Sequence, residues 1–157
     1  MMKTGLLIIA TNKYISFLSD LLNSADEYFL PNENVEYFVF TNQEAIEIES
    51  KRKINLVKIE HRPWPWMTLG RYEIFFSNVK CFTEMDYLFY CDADMKFCDI
   101  VSDKILSDRV ATQHPGYYGT RGTPETNSNS LAYVSQFESM QYFAGGFNGG
   151  SKKEYLK

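Results

Sequence analysis

The chain has 157 residues, of which 45% are hydrophobic and 23% are charged, and its formal net charge is -4. This length suits a single domain, residues 1–157, with a hydrophobic core of its own. The negative charge argues against a nucleic-acid partner, because such a partner requires a basic face. Aromatic residues reach 16%, and most of them are expected in the core.

The cysteines and the N-terminal region bear on the compartment. Cys81, Cys91 and Cys98 are odd in number and lack a CxxC spacing, which predicts buried thiols in a reducing compartment rather than disulfides or a cysteine-bound metal. The apolar run after Lys3 is much shorter than the roughly 18 residues that a membrane span requires. No secretory signal is visible. We therefore expect a cytoplasmic location and no transmembrane segment.

The hydrophobic pattern predicts alternating strands and helices. Apolar runs predict buried strands at Thr4–Thr11, Val35–Thr41, Ile54–Glu60 and Tyr87–Cys91. Apolar residues at helical spacing predict one helix from Tyr14 to Phe29 and a second from Leu69 to Phe82. This order of elements indicates an α/β fold with a mostly parallel central sheet flanked by helices.

Three segments are predicted to lack strands and long helices. Residues 43–53 are charged, which favours a loop or a short solvated helix, and residues 61–66 contain two prolines that exclude regular structure. Residues 116–130 are rich in Gly, Thr, Asn and Ser, which is typical of a long loop.

Two aspartates, Asp92 and Asp94, directly follow the predicted strand Tyr87–Cys91. Ligands of α/β sheets bind at the carboxyl ends of strands, and residues two apart in an extended segment point to the same side. Converging carboxylates repel each other unless a divalent cation lies between them, and Mg²⁺ and Mn²⁺ prefer carboxylate and phosphate oxygens. The pair is therefore interpreted as a site for a metal–diphosphate. A strand-end turn with two solvated acids explains the same residues.

A phosphatase of the haloacid dehalogenase type is the other class that places such a pair after an apolar strand. In that class the pair follows the first strand and precedes Thr or Val. Here it follows the fourth predicted strand and precedes Met95 and Lys96, so the phosphatase interpretation is rejected.

The segment QYFAGGFNGGSKKEYL, residues 141–156, contains two pairs of adjacent glycines, Gly145–Gly146 and Gly149–Gly150. Glycine permits a close approach of the backbone to a ligand. A flexible loop would also explain the four glycines, but their aromatic neighbours favour a shaped pocket wall.

Six segments together resemble glycosyltransferase family six, the retaining enzymes that include the ABO histo-blood-group transferases and the α-1,3-galactosyltransferases. They follow the family's order and similar separations: ATNKY (Ala10–Tyr14), TLGRYEIF (Thr68–Phe75), DYLFYCDADMKF (Asp86–Phe97), HPGYY (His114–Tyr118), AYV (Ala132–Val134) and YFAGGFNGGSKKEYL (Tyr142–Leu156). The resemblance implies a GT-A fold, a nucleotide-sugar-binding α/β layer that covers residues 1–157.

The resemblance also implies residues that bind the nucleotide part of the donor. Ala10, Thr11 and Tyr14 match positions that hold the uracil and the ribose, with Tyr14 as the ring partner of the base. Arg71 matches an arginine that reaches the donor phosphate and sugar. Without the resemblance, a lone arginine on a helix is most often solvated.

The metal and the donor sugar are implied in the same way. Asp92 and Asp94 match the pair that holds Mn²⁺ against the diphosphate of UDP, so the chain is expected to need Mn²⁺, with Mg²⁺ as the alternative. Ala144, Gly145 and Gly146 match the run that discriminates donor sugars. A small residue where Gly146 stands favours UDP-GalNAc over UDP-Gal.

The acceptor region departs from the family pattern. His114 matches an acceptor-binding histidine, although a histidine before a proline can equally cap a turn. Thr123–Asn127 stands where the family has an arginine pair, and Ser135 stands where it has a proline. We therefore expect a glycan acceptor but an altered way of recognising it.

The catalytic residue is not assigned. The family continues with a Trp-His-Asp-Glu-Ser segment, whose glutamate is its nucleophile or front-face stabiliser, and this segment is not among the residues up to Lys157. Glu125 and Glu138 are the nearest spare acids, and no motif supports either. The expected function is metal-assisted, retaining transfer of GalNAc or Gal from a UDP-sugar to a glycan. The alternative is a UDP-sugar-binding module or a slow UDP-sugar hydrolase.

Overall fold

The computed structural model describes residues 2–138 and 141–157. Within these residues, strands form one six-stranded sheet in the order β3-β2-β1-β4-β6-β5. The strands are β1 (Lys3–Ile9), β2 (Asn34–Thr41), β3 (Ile54–Lys58), β4 (Tyr87–Cys91), β5 (Val110–Gln113) and β6 (Phe143–Ser151). Strands β1 to β4 are parallel, whereas β6 is antiparallel to β4 and β5. The mostly parallel sheet of the predicted α/β fold is therefore confirmed.

The helices are α1 (Leu18–Tyr28), α2 (Trp66–Leu69), α3 (Arg71–Ser77) and α4 (Lys152–Tyr155), with short 3-10 turns at Asn12–Phe17, Val79–Phe82, Asp103–Ile105 and Pro115–Tyr117. The first predicted helix thus begins as a 3-10 turn. The second is interrupted at Gly70 and Asn78, and residues 43–53 contain no helix.

Strand β1 lies at the centre of the core because both of its faces are covered. Leu6 and Ile8 face α1 on one side of the sheet, and Leu7 and Ile9 face α3 on the other. Side chains alternate between the two faces of a strand, so a strand that is covered on both sides must be apolar at successive positions. Burial on both faces therefore explains the uninterrupted apolar run from which this strand was predicted.

The order of the strands creates a crevice between β1 and β4. The chain leaves β1 towards β2 and β3 and then returns to β4 on the other side of β1. In open α/β sheets, such a switch point leaves a ligand-binding crevice beyond the carboxyl ends of the strands. Thr11 and Asp92 follow these two strand ends, so the topology brings them to the same crevice.

The glycine-rich segment, interpreted as a pocket wall or a flexible loop, forms strand β6 (Phe143–Ser151), so the loop alternative is wrong. Its second glycine pair packs against the chain itself: a Cβ on Gly149 would lie 2.3 Å from Phe89 Cδ1, and one on Gly150 would lie 2.1 Å from the carbonyl oxygen of Asp108. In the first pair, Gly145 is exposed and Gly146 is half-buried, whereas both glycines of the second pair are buried. The absence of side chains in the second pair lets the backbones of Leu88 and Asp108 approach β6 closely.

The cysteines and the helices bear on two further expectations, those of buried thiols and of no transmembrane segment. Cys91 is buried, but Cys81 and Cys98 are exposed, so the prediction of buried thiols is wrong for those two. Cys81 lies in the 3-10 turn Val79–Phe82, and Cys98 lies outside the regular elements. Among residues 2–138 and 141–157, no helix combines the length and the apolar character needed to cross a membrane.

Candidate functional site

A cleft of about 190 Å³ opens at the carboxyl ends of β1 and β4. Three segments line it: the end of β1 with the following 3-10 turn, residues 61–68, and the end of β4 with the turn behind it. The cleft therefore lies at the topological switch point of the sheet. Thr11, Tyr14, Asp92 and Asp94 from the sequence-based assignment all line it.

The wall that follows β1 combines a fixed polar group with an accessible aromatic ring. Thr11 is buried, and its Oγ1 lies 2.9 Å from His61 Nδ1. Tyr14 is 41% exposed and presents its ring to the cleft. Ala10 is fully buried, and its N–H donates to the Phe40 carbonyl. The side chain of Ala10 therefore belongs to the core, while Thr11 and Tyr14 face the cleft.

Asp92 and Asp94 lie in a tight turn. The N–H of Met95 donates to the Asp92 carbonyl at 3.1 Å, and residues 93–94 form the turn. The expectation of an extended segment here is therefore wrong, but both carboxylates line the cleft. Asp92 Oδ1 accepts a hydrogen bond from the Tyr90 hydroxyl. The strand-end turn and the convergent pair are thus compatible with each other.

The two carboxylates create a negative environment at the end of β4. Burial, together with the charges of Asp92 and Asp94, raises the pKa of Cys91 to about 12. Burial and the neighbouring Asp92 also raise the pKa of Tyr90. Both buried groups consequently remain neutral, and the carboxylates carry the charge of this part of the cleft.

The donor set fits a hard divalent cation that retains other ligands. Mg²⁺ and Mn²⁺ are commonly held by one or two carboxylates, with water and substrate phosphates completing the shell. Within the described residues, no group of three or more His, Cys, Asp or Glu side chains is arranged to hold a metal ion. Asp92 and Asp94 therefore suit a cation that is shared with a phosphate-bearing ligand.

Arg71 is 9% exposed and is fixed from several sides. Its Nε donates to the Thr68 carbonyl and its Nη1 to the Gly145 carbonyl, each at 2.8 Å. The guanidinium lies 4.6 Å from the centre of the Tyr90 ring, and Nη1 lies 3.9 Å from Asp92 Oδ1. The alternative of a solvated arginine is wrong, and the assignment of Arg71 to the donor stays a prediction. Arg71 does not line the cleft, but its buried guanidinium places positive charge beside the Asp92 carboxylate.

The first glycine pair lies next to Asp92, although Ala144, Gly145 and Gly146 are not among the residues that line the cleft. The N–H of Asp92 donates to the Gly146 carbonyl at 2.8 Å. A Cβ on Gly146 would lie 2.9 Å from Met95 Sδ and 3.0 Å from Asp92 Oδ2, whereas one on Gly145 would meet only the Arg71 guanidinium, at 3.9 Å. A side chain at residue 146 would therefore crowd Met95 and the Asp92 carboxylate, whereas one at residue 145 would make only an ordinary contact.

His114 lies at the end of β5 and does not line the cleft. Its Nδ1 accepts a hydrogen bond from the Gly116 N–H at 3.1 Å and caps the turn Pro115–Tyr117. Its ring lies 4.8 Å from that of Tyr117 and 5.9 Å from that of Tyr142. The predicted turn cap is confirmed, and the acceptor assignment stays a prediction.

Residues 61–67 contribute to the cleft, which the sequence pattern did not predict. His61, Arg62, Trp64 and Met67 line it, although residues 61–66 were predicted only to be irregular. That prediction is wrong at Trp66, where α2 begins. A usable signal was present, because this segment follows the third predicted strand and strand ends of a parallel sheet share one edge.

Comparison with known proteins supports the sequence resemblance. The model of glycosyltransferase family 6 matches residues 1–157. The chain belongs to glycosyltransferase family 6. The fold class and the resemblance of the six segments agree with this membership.

Named relatives include mammalian and bacterial proteins. Over 160 residues the chain is 36% identical to the rat histo-blood group ABO system transferase 1, which covers 96% of this chain and 46% of that protein. It is 31% identical to the dog globoside alpha-1,3-N-acetylgalactosaminyltransferase 1, with coverages of 93% and 45%. It is 24% identical to the Escherichia coli O-antigen biosynthesis glycosyltransferase WbnI, with coverages of 99% and 69%. The chain thus spans about half the length of the two mammalian relatives.

Proposed function

We propose that this family 6 chain binds a UDP-sugar, UDP-GalNAc or UDP-Gal, and supports transfer of the sugar to a glycan acceptor with retention of configuration. The main support is the convergence of Asp92 and Asp94 with Thr11 and Tyr14 on one cleft. A nucleotide diphosphate needs a flat partner for its base and cationic compensation for its phosphates. Tyr14 offers the ring, and a cation held by Asp92 and Asp94 would offer the charge.

The base and ribose are assigned to the wall after β1. Tyr14 provides an exposed ring for stacking, and aromatic stacking on a base contributes about 1–3 kcal/mol. The backbone around Ala10 and the hydroxyl of Thr11 are proposed to contact the uracil and ribose. Thr11 is held by His61, so its position does not depend on the ligand.

The diphosphate is assigned to the wall after β4. Asp92 and Asp94 would hold Mn²⁺, or alternatively Mg²⁺, and Arg71 would supply a fixed positive charge from the other side of Asp92. When bound, such a cation offsets the negative charge that develops on the departing UDP. The protein's own contribution is to hold the carboxylates and the guanidinium in place before the ligand arrives.

The sugar is assigned to the wall Ala144, Gly145 and Gly146. The small residue at Gly146 is proposed to leave room for a 2-acetamido group, which favours UDP-GalNAc. Gly145 beside it is exposed. His114, with its two tyrosine neighbours, is the proposed acceptor contact. It lies at the same edge of the sheet, since β5 runs parallel to β4 and ends there.

A second candidate is a UDP-sugar-binding module, or a slow UDP-sugar hydrolase, without efficient transfer. It is favoured by one observation: the residues that line the cleft account for donor binding, and none of them is assigned as the nucleophile of a transfer. The cleft would bind the donor equally well in either case.

One assay separates the two candidates. The chain is incubated with Mn²⁺, UDP-GalNAc or UDP-Gal and a panel of glycan acceptors, and both glycosylated product and released UDP are measured. Product formation supports transfer. UDP-sugar binding without product, or UDP release that is independent of acceptor, supports the second candidate. No UDP affinity with or without Mn²⁺ would overturn both.

A further inference from the structure

A set of polar contacts joins the donor wall to the carboxy-terminal helix α4, and Asn148 is at its centre. The Nδ2 of Asn148 donates to the Gly145 carbonyl at 3.3 Å. Its Oδ1 accepts from the Tyr155 hydroxyl at 3.2 Å and from the Tyr72 hydroxyl at 3.5 Å. We call these four residues the Asn148 network.

The chemistry of the amide suits this position. An amide group offers two donor hydrogens and an acceptor oxygen with two lone pairs, and Asn148 uses both ends. An apolar or acidic residue could not bond to a carbonyl and to two phenols together. Asparagine is also depleted in strands, so the formation of β6 does not account for Asn148.

The carbonyl of Gly145 is where the network meets the site. It accepts from Arg71 as well as from Asn148. In the pairing of β5 with β6, Ala111 pairs with Asn148 and the next residue, Thr112, pairs with Ala144. Residues 145–147 of β6 therefore have no pairing partner in β5. Glycines in such a bulge have wide conformational freedom. The side chains that donate to the Gly145 carbonyl, Arg71 and Asn148, therefore help to fix the position of residues 144–146.

We propose that Asn148 is a positioning residue that sets the donor wall 144–146, and that Tyr155 couples helix α4 to the sugar end of the site. Asn148 would act through its hydrogen bond to the Gly145 carbonyl, since neither residue is among those that line the cleft. On the opposite edge of β6 it pairs with Tyr90, whose hydroxyl bonds to Asp92. This inference rests on the proposed function for its ligand, but the network itself does not.

The ligand test compares three variants with the wild type. Asn148→Ala removes the network, Tyr155→Phe removes one phenol with little change in volume, and Asn23→Ala on the outside of α1 is the matched control. Affinities for UDP and for UDP-GalNAc are measured in Mn²⁺. Asn148→Ala should weaken UDP-GalNAc about three- to tenfold more than UDP, the scale of one hydrogen bond. Tyr155→Phe should show a smaller loss in the same direction.

A measurement without ligand keeps the inference separate from the proposed function. The Asp92 N–H donates to the Gly146 carbonyl, so a loosened wall should accelerate hydrogen exchange at Asp92 in Asn148→Ala and Tyr155→Phe, but not in Asn23→Ala. If the wild type binds no UDP, the proposed function fails, and exchange alone decides the inference. If Asn148→Ala does not fold, Tyr155→Phe decides it. Unchanged exchange, or equal losses of UDP and UDP-GalNAc, would overturn it.

Discussion

Two regions at the same edge of the sheet are built in different ways. In the strand-end region, defined by Thr11, Arg71, Asp92 and Gly146, polar atoms bond to the His61 ring or to backbone carbonyls. In the loop region, residues 114–138, the described chain has only the turn Pro115–Tyr117 as a regular element, and large side chains such as Phe137, at 89% exposure, face solvent.

We infer from this difference that the fold holds the donor-binding residues in place, whereas the loop region contributes little to the stability of the fold. A substitution in the strand-end region should alter binding of the donor and stability together, because the same contacts serve both. A substitution in the loop region should alter acceptor recognition alone, because loops with few buried contacts tolerate change. The following predictions test this contrast, beginning with the largest expected effect.

Removal of a charge from the carboxylate pair should have the largest effect. Asp92→Asn and Asp94→Asn are each expected to lower UDP affinity in Mn²⁺ by at least about tenfold, because even indirect partners of metal sites have effects of this size. Titration calorimetry measures the affinity. EDTA should reduce the wild type to the level of the variants, and Asp20→Asn on α1 is the control. Equal UDP affinity with and without Mn²⁺ would contradict the metal assignment.

Arg71→Ala should weaken the donor and the fold together. Loss of a charged hydrogen bond is expected to reduce donor binding by about 1.5–3 kcal/mol. The carbonyls of Thr68 and Gly145 lose their partner, so the free energy of unfolding should fall by about 1–3 kcal/mol. Denaturant titration measures the second effect, with Arg62→Ala in the same cleft as an exposed control. Unchanged stability would show that the buried contacts of Arg71 do not support the fold.

Gly146→Ala and Gly145→Ala form a matched pair on the donor wall. The methyl group at residue 146 meets Met95 and the Asp92 carboxylate, so UDP affinity should fall by about 1–3 kcal/mol, the usual effect of overpacking. Gly145→Ala should leave UDP affinity nearly unchanged. UDP-GalNAc should lose more than UDP-Gal in the Gly146 variant, measured as a ratio of affinities. Parallel losses of both donors would limit the role of Gly146 to the carboxylate beside it.

The smallest effect on donor binding is expected in the loop region. His114→Ala removes a turn cap and an aromatic contact at a half-buried position, so UDP affinity should be unchanged and the free energy of unfolding should change by less than about 0.5 kcal/mol. Acceptor-dependent product formation should fall, as measured in the transfer assay. Tyr133→Phe, farther along the loop, is the control. A loss of UDP affinity in His114→Ala would remove the contrast between the two regions.

Local patterns were sufficient for the elements that lie in the core. Strand β4 was predicted with the observed bounds, Tyr87–Cys91, and β1 to within two residues at its end. Both strands are buried on two faces, and such strands have a continuous run of apolar residues that is recognisable in the sequence. The position of Asp92 and Asp94 beyond a strand end followed from the same pattern.

Strand β6 and the environment of Arg71 could not be predicted from the neighbouring residues in the sequence. Four glycines disfavour a strand, yet β6 forms because β4 offers its edge and because Gly149 allows Phe89 to approach. Arg71 looked solvated because the carbonyl that buries it, that of Gly145, lies 74 residues further along the chain. No spacing within the helix indicates such a partner.

The sequence by itself determined the α/β class, the family and the place of the carboxylate pair, because hydrophobic periodicity and motif order are properties of neighbouring residues. The tertiary structure alone decided that His61 supports Thr11, that Arg71 is buried, and that Asn148 holds the glycine wall. These are contacts between distant or differently oriented segments, and their distances depend on how the sheet is ordered. Packing, rather than local pattern, therefore shapes the cleft.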